Sequence, residues 1–307
     1  MQKVILDVDT GIDDALAIML ATESEELDIL GITTVSGNVS LEQATRNTLK
    51  VLQMVGKEKE INVYPGAFEP LLRKKFHEHR VHGNDGLGGA LTDMELRAKP
   101  SSKHAAHFII DQVHRYPNEV TLIMTAPLTN LVHVLKLDPT FARDVKRVIF
   151  MGGAAKTQGN VTPVAEFNIY ADPEAAKIVF HSGIPLTMVG LDVTMKTLLH
   201  DYHVDELKGS RYYDFIHKSA QYYMNFRQFD EVITACPMHD PLAVGVAIDP
   251  TMIQTESLYV DVETESSLCD GQTVCDLRFQ LNQQENMDVA LDVDSDRFIS
   301  MLLHRLK

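Results

Sequence analysis

The feature that most constrains this chain is a concentration of acid directly after its first apolar run. Four aspartates lie within residues 7–14, between the apolar run 4–6 and the apolar stretch 15–21. The first run is typical of a buried strand and the second of a buried helix. The acids therefore lie on a strand-to-helix turn, at the carboxyl edge of a predicted parallel sheet, where open α/β folds bind their ligands.

These four aspartates are Asp7, Asp9, Asp13 and Asp14. Their charges repel one another unless a positive group lies among them or some of them stay protonated. A hard divalent cation bound by oxygen atoms removes this repulsion. Asp13 and Asp14 alone could simply favour the dipole of the helix that begins there. Four acids, two of them at the end of the strand, favour a metal site over that explanation.

The composition argues against several classes of partner. The chain has 307 residues and a formal net charge of −15, which disfavours nucleic acid and anionic membrane surfaces. Its three cysteines form no CxxC motif, which disfavours a zinc ribbon or a disulfide framework. The first strand begins near residue 3 and no apolar run approaches the length of a membrane span, so the sequence predicts a soluble cytoplasmic protein.

Apolar runs alternate with amphipathic stretches through the first two-thirds of the chain, which predicts βαβ units. We therefore predict an α/β fold with an open, mostly parallel central sheet flanked by helices (Rossmann-like), in a single domain that covers residues 1–307. Towards the carboxyl end, strands are predicted at 258–262, 274–281 and 287–293, before a last helix at about 296–306.

Polar or glycine-rich positions follow the predicted parallel strands where each strand ends. They are Asp9, the segment 36–38, Thr125, Met151 with its two following glycines, and Asp192. Because the carboxyl ends of parallel strands meet at one edge of a sheet, we expect these positions to converge on one pocket.

Two later segments carry further polar pairs. Glu166 and Asn168 are two residues apart, so both side chains can face one side of an extended segment. His239 and Asp240 lie between two prolines, which present them rigidly. A structural cap explains a lone His–Asp pair, but beside an acidic metal site the pair could supply a proton donor and a further ligand.

Three histidines within residues 77–82 have a spacing that could suggest zinc. The glycines that follow them indicate a mobile loop instead, and no cysteine is nearby. We therefore favour a lid over the pocket for this loop.

The segment DVDTGIDDA (7–15) resembles the signature of the inosine–uridine nucleoside hydrolase family. The resemblance continues through the motifs VSGN (35–38), HG (82–83), TAPLTN (125–130), MGG (151–153), PVAEFN (163–168), DPEAA (172–176) and HD (239–240). It spans the chain from residue 3 to the last helix, and several motifs in register make it specific.

This resemblance implies an enzyme that hydrolyses the N-glycosidic bond of purine or pyrimidine ribonucleosides with one bound Ca²⁺. The calcium ligands it implies are Asp9, Asp14, the Thr125 carbonyl and Asp240. Asp13 matches the general base that deprotonates the attacking water, and His239 matches the proton donor to the leaving base.

The resemblance also implies a set of substrate-binding residues. They are Asn38, His82, Met151, Asn160, Glu166 and Asn168. His82 matches a residue near the base, whereas Asn38, Asn160, Glu166 and Asn168 match ribose contacts. A homotetramer or homodimer is implied as well. The aromatic pairs of the segment 222–227 could be core packing or a wall for the nucleobase, and both alternatives stay open.

Two other functions compete with this one. The segment 7–10 also fits the nucleophile motif of haloacid-dehalogenase-type phosphatases, with Asp7 as nucleophile, Asp9 as acid and magnesium as cofactor. That alternative leaves Asn38, the Glu166–Asn168 pair and the His239–Asp240 pair without a role. The second is a riboside-binding protein without turnover, which would be expected to lack Asp13 or a calcium ligand, and all of these are present.

Overall fold

The computed structural model of the chain describes residues 1–225 and 235–307, together with the backbone of two short strands between these ranges. Its strands are β1 Gln2–Val8, β2 Leu27–Thr34, β3 Val63–Pro65, β4 Thr121–Met124, β5 Arg147–Met151, β6 Leu186–Val189, β7 Leu198–His200, β8 Arg227–Gln228, β9 Glu231–Val232, β10 Ala235–Pro237, β11 Ile253–Leu258, β12 Val260–Val262, β13 Thr273–Cys275 and β14 Met287–Val293.

Helices connect most of these strands. They are α1 Ile12–Thr22, α2 Leu41–Val55, α3 His79–His82, α4 Ala105–Arg115, α5 Thr129–Leu137, α6 Phe141–Asp144, α7 Phe167–Ala171, α8 Pro173–Phe180, α9 Leu191–Thr194, α10 Asp201–Asp205, α11 Tyr213–Met224, α12 His239–Ile248 and α13 Ser295–Leu306. Within the described ranges, none of the helices has both the length and the apolar composition needed to cross a bilayer.

Eight strands form the central sheet, in the order β11-β14-β6-β5-β4-β1-β2-β3. All neighbouring strands in it are parallel except β11, which pairs antiparallel with β14. Both faces of the sheet are covered, because α1, α2, α12 and α13 pack on one side and α4, α5 and α8 on the other. The predicted single-domain α/β fold with a mostly parallel sheet is confirmed.

Strand β1 and helix α1 show why the first residues lie at the centre. Val4, Leu6 and Val8 pack with one apolar cluster and Ile5 with the other, as the alternation of a strand buried on both faces requires. Every residue of α1 from Ile12 to Ala21 is buried, which explains its nearly uniform apolar composition.

The carboxyl-terminal strands depart from the sequence prediction. The run 258–262 is divided between β11 and β12. Of the predicted strand 274–281, only residues 274 and 275 lie in a ladder, as the end of β13. After β13 the Asp276 carboxylate accepts hydrogen bonds from the backbone N–H groups of Gln280 and Leu281, at 2.9 and 2.7 Å. A local side-chain acceptor thus replaces the ladder and turns the chain.

The parallel strands bring distant parts of the chain to one edge. Asp9 follows β1, Asn38 lies in the loop after β2, Thr125 follows β4 and Met151 ends β5. Because these strands are neighbours and run in the same direction, their carboxyl ends form one side of the candidate site.

Candidate active site

Four buried carboxylates lie together at this edge. Asp9 faces Asp14 and Asp13 faces Asp240, close enough for hydrogen bonding when one partner of a pair is protonated. One oxygen from each of Asp13, Asp14 and Asp240 lies within 4.8 Å of the others. The first turn of α1 supplies Asp13 and Asp14, and the first turn of α12, which packs on α1, supplies Asp240.

Burial and mutual repulsion make it unfavourable for all four carboxylates to be ionised without a cation among them. Burial raises the pKa of Asp13 and of Asp14 to about 6, and repulsion by Asp13 adds to the rise for Asp14. The pKa values of Asp9 and Asp240 lie well above their ordinary range, through burial first and then through neighbouring carboxylates. The described residues that line the cleft include no lysine or arginine, so a bound cation would relieve the repulsion.

The donor set fits a hard divalent cation. Asp13 Oδ1 is buried and has no hydrogen-bond partner among the described residues, so an acceptor is available there for a cation or for a bound donor. The Thr125 carbonyl accepts from Asn168 Nδ2 at 3.0 Å and keeps a second lone pair. Among the described residues, Asp13, Asp14 and Asp240 form the group that could hold a metal, whereas the histidines of 77–82 form none. The zinc alternative for these histidines is therefore not supported.

Asp9 is held by the loop after β2. The backbone N–H of Asn38 donates to Asp9 Oδ2 at 2.5 Å, and Asn38 Nδ2 donates to Asp9 Oδ1 at 3.1 Å. A Cβ on Gly37 would lie 1.9 Å from Asp9 Oδ2, so only glycine allows this approach. Asn38 thereby contacts the carboxylate cluster and also lines the cleft.

Asp7 lies beneath the site instead of facing the cleft. It is 1% exposed, and its Oδ1 accepts hydrogen bonds from the Thr33 hydroxyl and from Asn130 Nδ2, the latter at 2.7 Å. A phosphatase nucleophile must reach its substrate, and this carboxylate is enclosed by β2 and α5 instead. The geometry therefore does not support the phosphatase alternative.

Glu166 and Asn168 fix the opposite wall of the cleft. The Glu166 carboxylate accepts from the backbone N–H groups of Gly153, Asn168 and Ile169, at 3.0, 2.9 and 3.2 Å. Burial raises its pKa to about 7. Asn168 Nδ2 donates to the carbonyls of Thr125 and Met151, at 3.0 and 3.1 Å, and so holds the ends of β4 and β5 together.

Two buried histidines face the carboxylates. His82 Nδ1 accepts from the backbone N–H of Ile12 at 3.1 Å and lies 3.8 Å from Asp13 Oδ1. His239 Nδ1 lies 2.8 Å from the Thr194 hydroxyl. Burial lowers the pKa of each ring to about 4, so both are neutral near pH 7. Donation from Thr194 to Nδ1 would keep the proton of His239 on Nε2.

One cleft collects most of the residues singled out by sequence. Those that line it are Asp13, Asn38, His82, Thr125, Met151, Asn160, Glu166, Asn168, His239 and Asp240. Asp9 and Asp14 are fully buried at its base. Asn160 Oδ1 accepts from the backbone N–H of Phe167 at 3.0 Å, so its position is fixed by the start of α7.

Asp192 does not join this cleft, contrary to the expectation from its place after β6. Its carboxylate accepts from the backbone N–H groups of Ala155 and Lys156, both at 2.7 Å, and holds the loop after β5. A residue at the edge of the sheet can thus serve a neighbouring loop, which the sequence pattern does not distinguish from a ligand contact.

Sequence reasoning missed Glu78, Val81 and Phe167, which also line the cleft. Glu78 and Val81 belong to the loop predicted as a lid, and Phe167 lies between two predicted residues, but the sequence offers no reason to single out these three. Tyr223 lines the cleft too, in agreement with the alternative of an aromatic wall, while Tyr222 is partly exposed. Phe226 and the side chain at position 227 lie outside the described residues.

Comparison with known proteins decides the family. The family described as inosine-uridine preferring nucleoside hydrolase matches residues 4–300 of the chain. The chain belongs to this family. It is therefore a hydrolase that acts on N-glycosyl compounds.

Similar proteins cover nearly the whole of this nucleoside hydrolase. The pyrimidine-specific ribonucleoside hydrolase RihB of Escherichia coli O157:H7 is 37% identical, over 97% of this chain and 94% of that protein. A solved purine-preferring ribonucleoside hydrolase from Gardnerella vaginalis is 35% identical with a TM-score of 0.91, covering 99% of this chain and 98% of that one. The plant nucleoside hydrolase PpNRh1 is 34% identical with a TM-score of 0.92, at the same coverage.

We expect the metal-free nucleoside hydrolase to lose stability as the pH rises. Asp13 and Asp14 have an ordinary pKa of 3.8 and a folded pKa of about 6, so between these values the folded protein keeps protons that the unfolded chain releases. Their contribution is complete below about pH 4 and is lost as the pH rises through about 6. Asp9 and Asp240, whose pKa values are raised further, act in the same direction. The lowered pKa values of His82 and His239 act in the opposite direction below about pH 6.5, but these two rings are outnumbered by the four carboxylates. The melting temperature of EDTA-treated protein should therefore fall between about pH 5 and about pH 8.

A metal bound by these carboxylates would take the place of those protons. Saturating Ca²⁺ should therefore raise the melting temperature more at about pH 8 than at about pH 5. A melting temperature of the EDTA-treated protein that rises over this pH range would contradict the electrostatic account of the cluster.

Proposed function

We propose that this protein is a calcium-dependent ribonucleoside hydrolase, which cleaves the N-glycosidic bond to give ribose and a free base. The proposal is supported by one observation: a cluster of carboxylates, which offers only oxygen ligands, lies in the same cleft as amide and imidazole side chains. Such a cleft can bind a sugar diol, activate water and assist a leaving base. Its cytoplasmic location and its assembly into a tetramer or dimer remain predictions from the sequence.

Calcium is the cation that we propose for the cluster. Asp9, Asp14, the Thr125 carbonyl and Asp240 would hold it, in keeping with their shared position at the base of the cleft. Calcium accepts six to eight oxygen ligands in flexible geometry, which leaves room for water and two ribose hydroxyls. When bound, it would orient the sugar and lower the pKa of water.

Asp13 is the proposed general base. Its Oδ1 faces the cleft region without a hydrogen-bond partner among the described residues, next to Asp240 and 3.8 Å from His82 Nδ1. A carboxylate with a free acceptor can take a proton from water as the water attacks the anomeric carbon. The transition state has oxocarbenium character, which the surrounding negative charge stabilises.

Ribose would be held by groups on both walls of the cleft. Asn38 offers its amide beside Asp9, while Asn160, Glu166 and Asn168 lie on the opposite wall. Met151 lines the cleft, and its carbonyl accepts a hydrogen bond from Asn168 Nδ2. Since Asn168 also holds the Thr125 carbonyl, the ribose and calcium sites would be mechanically coupled.

His239 is the proposed proton donor to the leaving base, with His82 beside it as the alternative donor. The Nε2–H of a neutral imidazole can donate a hydrogen bond as negative charge develops on the base, and the imidazolium, which that developing charge favours, would transfer the proton and return to the neutral ring. The Thr194 hydroxyl, 2.8 Å from Nδ1, would hold the ring in the required tautomer.

His239→Ala should therefore act according to the leaving group. We expect inosine hydrolysis to slow by about two to four orders of magnitude, because its base is a poor leaving group. The 4-nitrophenyl riboside needs no proton and should be hydrolysed at nearly the wild-type rate. Equal losses of kcat on both substrates would instead assign His239 to ribose or metal positioning. If kcat is unchanged on both substrates, another group donates the proton, and His82 is the first candidate.

The proposed activity is tested by mixing the protein with uridine and with inosine and measuring reducing sugar. Both substrates are needed because the similar proteins include a pyrimidine-specific and a purine-preferring enzyme. Release of ribose from at least one of them is the expected result. Binding of ribosides without ribose release would contradict turnover, and phosphate release from phosphomonoesters without ribose release would favour the phosphatase.

A further inference from the structure

Glu78 is a buried carboxylate of the cleft to which the proposed mechanism gives no role. It directly precedes α3, its side chain is 11% exposed, and it lines the cleft with Val81 and His82. Burial lowers the pKa of His82 and raises the pKa of Tyr223, and the negative charge of Glu78 shifts both pKa values upwards to a smaller extent. Its carboxylate therefore acts on the part of the cleft that these two rings line.

Arg80 holds this carboxylate in a fixed orientation. Arg80 Nε donates to Glu78 Oε1 and Arg80 Nη2 donates to Glu78 Oε2, both at 2.8 Å. The Arg80 side chain is 68% exposed and does not line the cleft, so the arginine approaches from the solvent side. Each carboxylate oxygen accepts one bond from the guanidinium and retains capacity for another.

The chain around Glu78 is anchored to both walls of the cleft. The backbone N–H of Glu78 donates to the Asn38 carbonyl at 3.0 Å. His77 Nδ1 lies 2.7 Å from the Gly37 carbonyl. On the other side, the Phe76 ring packs against Phe167 with centroids 6.1 Å apart. Residues 76–82, which we call the cover segment, thus hold Glu78 over the cleft between α7 and the loop after β2.

We propose that Glu78 determines base specificity by accepting a hydrogen bond from a ring N–H of the nucleobase, with Arg80 as its positioning residue. The proposal rests on the function proposed above, which places the base beside His82 and His239. A carboxylate can accept but cannot donate, so it pairs with an N–H and repels a carbonyl oxygen at the same place. Inosine and uridine each carry one such ring N–H, and the substrate class is therefore the oxo-base ribosides.

Methylation of that N–H gives a direct test. 3-Methyluridine and 1-methylinosine keep the ribose and the glycosidic bond of their parents but cannot donate from the ring nitrogen. With the wild-type enzyme we expect methylation to lower kcat/KM by roughly ten- to a hundredfold. In Glu78→Met, whose side chain has no oxygen to accept this bond, the parent nucleosides should lose kcat/KM mainly through KM, while the methylated substrates lose much less. The ratio of parent to methylated kcat/KM should therefore shrink towards the value that the steric cost of the methyl group alone sets.

Methionine has nearly the length of glutamate, so the steric cost of the added methyl is similar in both enzymes. Glu69→Met, at an exposed site just before the cover segment, is the matched control and should keep the wild-type ratio. A wild-type ratio in Glu78→Met, whether or not kcat/KM itself falls, would overturn the proposal. Absence of ribose release by the wild-type enzyme from every substrate would instead refute the proposed function itself.

Arg80→Met tests the positioning role separately. The carboxylate keeps its charge but loses the two bonds that orient it, so KM for uridine and inosine should rise while kcat stays near the wild-type value. Arg80→Lys should restore part of the lost selectivity, because an ammonium can replace one of the two bonds. Wild-type selectivity in Arg80→Met, measured by the same ratio, would show that Arg80 does not position Glu78.

Discussion

Asp13→Asn should lower kcat by roughly a hundredfold to ten-thousandfold, with KM changed far less. The amide keeps the size and polarity of the carboxylate but cannot take a proton from water. Asp13 lines the cleft with an oxygen that has no hydrogen-bond partner among the described residues, whereas ribose binding would rest mainly on Asn38, Glu166 and Asn168. Steady-state kinetics on uridine and inosine, with metal content measured on the same sample, give the comparison.

Asp93→Asn is a suitable control for this variant, because it makes the same chemical change at an exposed position. It should have wild-type kinetics. A wild-type kcat in Asp13→Asn would assign the base to another group. A variant that loses its metal along with its activity would show that Asp13 acts as a ligand, as its place within 4.8 Å of Asp14 and Asp240 also allows.

Asp9→Ala should abolish activity and metal binding together. Asp9 has no solvent exposure, and its two oxygens are engaged by Asn38, so its removal takes away a proposed ligand and loosens the loop after β2. If the metal is lost with Asp9, the remaining buried carboxylates lose their shared counter-charge, and an uncompensated buried charge commonly costs about 3–5 kcal/mol. Metal analysis and thermal unfolding of the same preparation separate these effects.

Asp192→Ala is the matched control for Asp9→Ala. It removes another buried aspartate from the same edge of the sheet, but one that holds the loop after β5 and stands apart from the carboxylate cluster. It should lose stability and keep its metal. An active, metal-free Asp9→Ala protein would contradict the assignment of Asp9 as a ligand.

The fold and the side of the cleft at the sheet edge could be predicted because both follow from local patterns, whereas His82 and Asn160 were assigned only through the family resemblance. Apolar runs alternating with amphipathic helices fix a parallel sheet, and a parallel sheet brings the ends of β1, β2, β4 and β5 to one edge. The short strand β13 was predicted too long, because the apolar run alone does not reveal that the Asp276 carboxylate turns the chain.

The rest of the site depends on contacts between distant segments. Asp192 looked like the other residues of the sheet edge, and only the position of the loop after β5 shows which groups its carboxylate binds. The bond between His239 and Thr194 joins residues 45 apart, and Glu78 reaches the cleft through a loop anchored on Asn38. No periodicity or spacing in the sequence encodes these pairings.

Removal and return of the metal test the central claim most directly. Protein stripped with EDTA and shown by elemental analysis to be metal-free should release no reducing sugar from uridine or inosine. Ca²⁺ should restore the activity, and Mg²⁺ should restore less of it, because magnesium demands a stricter octahedral arrangement of ligands. Undiminished ribose release by the metal-free protein would contradict the account.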